Sequence, residues 1–381
     1  FAAAASRLDG GAVDLSVGTP CDPPPRVVIE ALAGSGTERG YPAAAGSPAM
    51  REAAAGWIER RFGLSLDPAR EIAACVGTKE MVASLPMFLH LRSPDRDTIL
   101  HPSLAYPTYE MGATLAGLRH VAVAPRSDGL LDLASISAED AERALVLWVN
   151  SPGNPAGQLE DLGACAEWGR SHAVPVFSDE CYVEFVWAEK GRGTTAASGH
   201  TILEHGLSGV VAVHSLSKRS NLAGVRAGVF AGDGDLVSYL AQLRRHGGLM
   251  VPGPVQAAAA VAFCDDEHVF EQRERYLERL QFLARSLTAA GVEAALPKGS
   301  FYLWVKVPER FEEEQANGDG GSSAFSFGRL LAEHAGVVVS PGDTYGRGGR
   351  GYVRLALVQP MERLELVVKR LAGSAWSKGA R

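Results

Sequence analysis

The stretch GVVAVHSLSKRSNLAGVR, Gly209 to Arg226, decides the reading of this chain. It opens with VVAV, a continuously apolar run of the kind that forms a strand covered on both faces. It then gives way to two serines, a lysine and a Gly-containing turn closed by an arginine. Lys218 therefore falls where a buried strand runs out into a loop. Most lysines are simply solvent-exposed. At a strand end in a dry pocket, however, a lysine has a lowered pKa and can attack an aldehyde to form a Schiff base. Ser215, Ser217 and the planar fork of Arg226 suit a phosphate dianion. Each alone also reads as a loop hydroxyl or a surface arginine.

Working outward, further short apolar runs precede this one: EIAACVG, DTILHP, HVAVAP, ALVLWVNSP and PVFSDECY. Helical stretches lie between them, among them KEMVASLPMFLHL, which Pro86 is expected to interrupt, and LGACAEWGRSHA. Strands alternating with helices predict a doubly wound, mostly parallel α/β sheet. In such sheets ligands bind beyond the carboxyl ends of the strands. The last third differs. EHVFEQRERYLERLQFLARSLTAAG is a long amphipathic helix with a glycine stop. SFYLWVKVP, VVVSPGD and GYVRLALV are strand candidates, and EEEQANGDGGSS reads as a polar surface loop. The proline-rich GTPCDPPP cannot be helix interior and is expected to cross between units. The predicted organisation is an N-terminal segment, 1–35, contributing to a small α+β domain, a large α/β domain, 36–250, and the rest of the small domain, 251–381.

Composition narrows the classes. With 46% apolar and 21% charged residues over 381 positions, the chain is an ordinary globular protein of one or two domains. A net charge of −7 argues against a general nucleic-acid binder. The five cysteines are scattered without a CxxC pair, which predicts reduced thiols in the cytoplasm and no zinc site. The histidines show no metal-ligand spacing. No apolar run reaches the about 18 residues that suggest a membrane span. The start, FAAAASRLDGG, has no basic region followed by an apolar core, so no signal peptide is expected. It also lacks an initiator Met, so residues upstream of Phe1 are expected.

Other residues sit at the same kind of strand end. Asp179, after the apolar VF, is costly unless it meets a cation or a donor. An internal arginine or a helix N-terminus would do. So would a protonated pyridine nitrogen, which the carboxylate would keep protonated so that the ring draws electrons. Tyr182 is placed to donate to a phenolic oxygen on such a ring, or is a core aromatic. Asn154 lies between two Pro/Gly turns in NSPGNPAG, a loop constrained enough to fix a side chain. Gly77-Thr78-Lys79 stands between a strand and a helix, where backbone N–H groups and a hydroxyl form an anion site or Thr78 simply caps the helix. Tyr106 is suited to stacking on a flat ring. Arg354 interrupts an apolar strand and needs an anion, either a substrate carboxylate or an internal Asp or Glu. A lysine, an aspartate and a phosphate cup together point to pyridoxal 5′-phosphate.

These segments, with SVGTP and RGYPAAAGSPAMR before them, resemble the fold-type I, class I/II aminotransferases over nearly the whole chain. The resemblance is most specific in SxxK…GxR and NPxG. It implies that Lys218 forms the Schiff base and shuttles a proton, and that Asp179 pairs with the pyridine nitrogen. Asn154 and Tyr182 would bind the phenolic oxygen, and Tyr106 would stack on the ring. Gly77, Thr78, Lys79, Ser215, Ser217 and Arg226 would form the phosphate cup. Arg354 would take a substrate α-carboxylate, with Gly18 and Asn154 beside it. Tyr41 matches a tyrosine that reaches the phosphate from a neighbouring subunit, which implies a homodimer with a shared active site. Small amino acids and oxo acids would be the substrates. Within the family the chain is most similar to actinobacterial N-succinyldiaminopimelate aminotransferases, with glutamate as the general amino donor. A different class I/II aminotransferase, or a C–S lyase on the same lysine and aspartate, is the alternative. A non-catalytic regulator would call for a fused helix-turn-helix, which the chain lacks, and a nucleotide-binding α/β enzyme for a GxGxxG that opens a helix after the first strand or for a GxxxxGK(S/T); neither of these is found.

Overall fold

A computed structural model describes residues 1–37, 39–187, 200–309, 311 and 322–373. Its centre is a seven-stranded sheet in the order β2-β8-β7-β6-β5-β3-β4. The strands are β2 (Ile72–Cys75), β3 (Thr98–Pro102), β4 (Arg119–Val123), β5 (Ala144–Asn150), β6 (Val176–Asp179), β7 (Val210–Ser215) and β8 (Gly228–Gly232). All are parallel except β8, which runs antiparallel to both β2 and β7. Every residue of β5, β6 and β7 is buried, as continuously apolar parallel strands must be when helices cover both faces. One face packs on Trp57, Ile58 and Phe263, the other on Leu85, Phe88 and Tyr109. Asn150 is in register with Asp179, so the carboxyl ends of β5 and β6 are level.

The helix Thr78–Arg92 runs unbroken through Pro86, contrary to the interruption expected from the sequence. A proline cannot donate to the carbonyl four residues back, here Val82. That carbonyl packs against Gly112 in the neighbouring helix Thr108–Leu115, so closely that a Cβ on Gly112 would lie 3.0 Å from the oxygen. Tight tertiary packing thus carries the helix past its breaker.

The C-terminal part builds a separate three-stranded antiparallel sheet, β11-β12-β9, from β9 (Tyr302–Lys306), β11 (Ser340–Pro341) and β12 (Tyr352–Ala356). The helix Glu267–Ala289 supplies Leu280, Leu283 and Leu287 to its apolar core. VVVSPGD does not form one strand. Val337–Val338 (β10) pairs in parallel with Val13–Asp14 (β1), while Ser340–Pro341 pairs with β12. The N-terminal segment thus starts on this smaller unit. It then passes, without helix through the prolines, to the helix Arg26–Ala33 beside the helix Gly253–Cys264. Residues 312–321 of the polar EEEQANGDGGSS stretch lie outside the described residues. Where the two sheets meet, Tyr182, Phe185, Tyr276, Phe301 and Tyr302 form an aromatic cluster. No described helix is long and apolar enough to cross a membrane.

Candidate active site

A cavity of about 610 Å³ opens at the carboxyl ends of β5, β6 and β7. Of the residues singled out from the sequence, Gly18, Thr78, Lys79, Tyr106, Asn154, Asp179, Tyr182, Ser215, Ser217, Lys218, Arg226 and Arg354 all line it. They come from positions up to 336 residues apart, and the two sheets bring them to one place. Tyr41 does not join them: it is 99% exposed on this protomer's surface.

Lys218 sits in a single helical turn, Leu216–Arg219, that begins where β7 ends. Its amine donates to the Gly18 carbonyl of the N-terminal segment. Burial lowers its pKa to about 8, so the reactive neutral form is reached far more readily than in an ordinary lysine. Ser215 caps that turn, its Oγ accepting the Ser217 N–H at 3.1 Å. Both serines face the cavity, as does Arg226, held in the left-handed region at φ 60°. The Arg226 Nη1 donates to the Ala223 carbonyl at 2.9 Å. Gly77 makes room for this guanidinium: a Cβ there would lie 2.2 Å from Nη2. Thr78 does not cap its helix. Gly77 holds the cap position, and the Thr78 hydroxyl meets the Cys181 thiol at 3.1 Å. The Lys79 ammonium lies over the Tyr106 ring, 5.9 Å from its centroid.

Asp179 is buried and forms no ion pair among the described residues. Its Oδ2 accepts from the Tyr109 hydroxyl at 2.9 Å and its Oδ1 from the Cys181 N–H at 3.2 Å. Desolvation nevertheless pushes its carboxyl pKa up. Although Lys218 lies in the same cavity, no cation is in ion-pair contact with this carboxylate among the described residues, and a protonated ring nitrogen would complete the pair. The Tyr182 and Tyr302 hydroxyls meet at 2.8 Å.

Arg354, also buried, donates from Nη1 to Asn154 Oδ1 at 2.7 Å and from Nη2 to the Ser16 carbonyl at 2.6 Å. The guanidinium lies over Tyr302, 4.1 Å from the ring centroid, and near Tyr345 at 4.9 Å. Its buried Nε has no hydrogen-bond partner. Neither an internal Asp nor an internal Glu neutralises it among the described residues, so the fork is available to an incoming carboxylate. Gly18 fits against Tyr302, where a Cβ would lie 2.2 Å from the hydroxyl. Tyr109, Cys181, Tyr302, Tyr345 and the Ser16 carbonyl were missed by sequence reasoning. Tyr109 stands three residues after Tyr106 in AYPTY, residues 105–109, but nothing in that segment points it at Asp179.

The set of donors fits pyridoxal 5′-phosphate. It combines an amine of lowered pKa, a buried unpaired carboxylate and a serine-arginine cup at a helix N-terminus. Comparison with known proteins agrees. Residues 11–371 match the family described as "Aminotransferase class I and II". The chain is 39% identical over 371 residues to the 4-dedimethylamino-4-oxo-anhydrotetracycline transaminase OxyQ of Streptomyces rimosus, covering 97% of this chain and 95% of that protein. It is 34% identical over 370 residues to an LL-diaminopimelate aminotransferase of Desulforudis audaxviator, covering 95% and 90%. The solved structure of a probable N-succinyldiaminopimelate aminotransferase from Thermus thermophilus superposes with TM-score 0.80 at 33% identity, covering 96% of each chain. This chain belongs to the class I and II aminotransferases. It is a fold-type I, pyridoxal 5′-phosphate-dependent transaminase acting between amino and oxo acids.

Proposed function

We propose that this transaminase moves an amino group from glutamate to N-succinyl-2-amino-6-oxopimelate, a step of lysine and diaminopimelate biosynthesis. The observation that carries a 2-oxo acid substrate is Arg354, a buried fork with an uncommitted Nε beside Asn154. Likeness to the Thermus and Desulforudis aminotransferases supports the diaminopimelate assignment.

Bound pyridoxal 5′-phosphate supplies an aldehyde to link the amine and a ring that draws electrons from the substrate carbon. In this reading Ser215, Ser217, Arg226, Lys79 and the Gly77–Thr78 backbone hold its phosphate. Asp179, itself oriented by Tyr109, keeps the ring nitrogen protonated. Asn154 and Tyr182 donate to the phenolic oxygen, and Tyr106 covers the ring. Arg354 fixes the substrate carboxylate, with Gly18 alongside. The Lys218 Nζ would take the proton from the substrate carbon and deliver it to the carbon that had been the aldehyde carbon, a 1,3 shift that its lowered pKa favours. Tyr41, exposed here, reaches the phosphate of a second copy in a homodimer. The two sheets support a division into 1–35 with 251–381 and 36–250, since their strands fall on either side of it, although the helices Arg26–Ala33 and Gly253–Cys264 give Val28 and Phe263 to the core of the large sheet. The reduced-thiol pattern supports a cytoplasmic enzyme.

A second reading rests on the aromatic walls. Tyr106, Tyr302 and Tyr345 all face the cavity, which suits a ring-bearing ketone of the kind named for the Streptomyces rimosus relative. Half-reactions followed by absorbance separate the two. Glutamate is expected to convert the yellow form to the pyridoxamine form, and the succinylated oxo acid to restore it. Restoration by cyclic ketones alone would sink the diaminopimelate assignment.

A further inference from the structure

The helical turn that carries Lys218 is four residues long. One turn cannot hold itself, because nucleation fixes several residues for a single hydrogen bond. Its position must come from tertiary anchors. The strongest is Arg219, the next residue, which is 3% exposed on the side of the turn away from the cavity.

Nε of Arg219 donates to Glu184 Oε1 at 3.0 Å and Nη2 to Asp266 Oδ1 at 3.0 Å. Nη1 donates to the Ala262 carbonyl and to Ser220 Oγ, and Nη2 also to the Asp265 carbonyl. All five donors of the guanidinium are thus used, which a lysine with its single ammonium cannot imitate. Glu184 is itself held by Trp57 at 2.8 Å and Arg61 at 3.0 Å. The two residues that follow go the same way. Ser220 Oγ meets His268 Nε2 at 2.9 Å, and Asn221 Nδ2 donates to Gln272 Oε1 at 3.1 Å. Asp266, His268 and Gln272 cap or belong to the first turns of the helix Glu267–Ala289.

That helix also grips the N-terminal segment. Gln272 Nε2 donates to Asp22 Oδ2 at 2.7 Å, and Arg279 clasps both Asp22 oxygens at 2.7 Å. Asn221 additionally donates to the Pro23 carbonyl at 3.3 Å. Four residues upstream of Asp22 is Gly18, whose carbonyl receives the Lys218 amine. The contact between Lys218 and Gly18 is therefore closed into a ring by the long helix, through Arg219–Asn221 on one side and Asp22 on the other.

We propose that Arg219 is a positioning residue for Lys218: with Asn221 it braces the lysine turn to the start of the helix Glu267–Ala289, so that amine and N-terminal segment are held in one frame. This rests on the reading of Lys218 as the cofactor amine. Misplacing a reacting group by about 1 Å costs on the order of 100-fold in rate.

The test uses Arg219→Met and Arg219→Lys holoenzymes. Arg219→Met is expected to slow the glutamate half-reaction about 10- to 100-fold with the dissociation constant of glutamate changed less than about three-fold. Capture of pyridoxal 5′-phosphate by the apo protein should slow with it. Arg219→Lys should recover only part of both rates. A variant that melts earlier yet keeps both rates within about two-fold of wild type would show a merely structural role and overturn the brace. If Arg219→Met yields no folded protein, Asn221→Ala is read in its place. A smaller loss in both rates supports the proposal, and unchanged rates overturn it. Lys218→Ala keeps the two failures apart. If its cofactor is still fixed covalently by borohydride, the reading of the lysine falls. If fixation is lost while Arg219→Met changes neither rate, only the brace falls.

Discussion

At the scale of single residues, burial decides the chemistry. Lys218 is an ordinary amine until the cavity walls remove its water, which brings its pKa to about 8. The neutral amine is the nucleophile and predominates above the folded pKa. Pyridoxal 5′-phosphate capture by the apo protein should therefore quicken as pH rises from 6 to 8 and level off above about 8, in stopped-flow absorbance. A rise that continues to the range of a free lysine would refute a lowered pKa. Arg354 is read the same way. Its Nε has no partner and its Nη atoms hold Asn154 and Ser16. Arg354→Lys keeps the charge but loses the fork. It should weaken kcat/KM for glutamate about 100-fold, on the order of 3 kcal/mol, and leave cofactor binding intact by titration. Asp179 was legible as a buried carboxylate. Its orienting partner Tyr109 was not, because 70 residues separate them and only the packing of the helix Thr108–Leu115 against the sheet joins them.

At the scale of elements, the parallel strands were readable because both faces are covered and their residues are apolar without alternation. β8 was not anticipated. AGVFAG resembles its neighbours in composition, and its antiparallel direction depends on the short return from β7 through the Lys218 turn and Arg226. The helix through Pro86 shows the opposite case, a local breaker overruled by packing against Gly112. The turn at Gly77 carries a prediction. Its φ of 73° and ψ of 148° lie in a region nearly reserved for glycine, and the Arg226 guanidinium occupies the space of a Cβ. Gly77→Ala should cost about 1–3 kcal/mol at this position and displace Arg226. Pyridoxal 5′-phosphate affinity, measured by equilibrium dialysis, should fall at least about 10-fold, while the far-ultraviolet spectrum stays that of the folded protein. Unchanged affinity would remove Gly77 and Arg226 from the phosphate cup.

At the scale of the whole molecule, the cavity exists only because an N-terminal segment, a parallel sheet and a C-terminal sheet converge. The role proposed for Tyr41 would extend this beyond one chain. In a shared-site homodimer, mixing Lys218→Ala and Tyr41→Phe chains creates one native site per hybrid dimer. The mixture should recover activity toward about half of the wild-type level per hybrid, above either parent. A protein that sediments as a monomer, or a mixture with no gain, would leave Tyr41 without that role. The sequence by itself determined the sheet class, the lysine, the aspartate and the arginines. Apolar runs and the residues that end them are local patterns, and a charge after a buried strand must find a partner. Tertiary structure alone decided which partners those are. Tyr109 holds Asp179, Gly18 receives Lys218, and Ser16 with Asn154 holds Arg354. Such contacts join residues tens to hundreds of positions apart. Their geometry is set by how two sheets and one long helix pack, which no local stretch of sequence encodes.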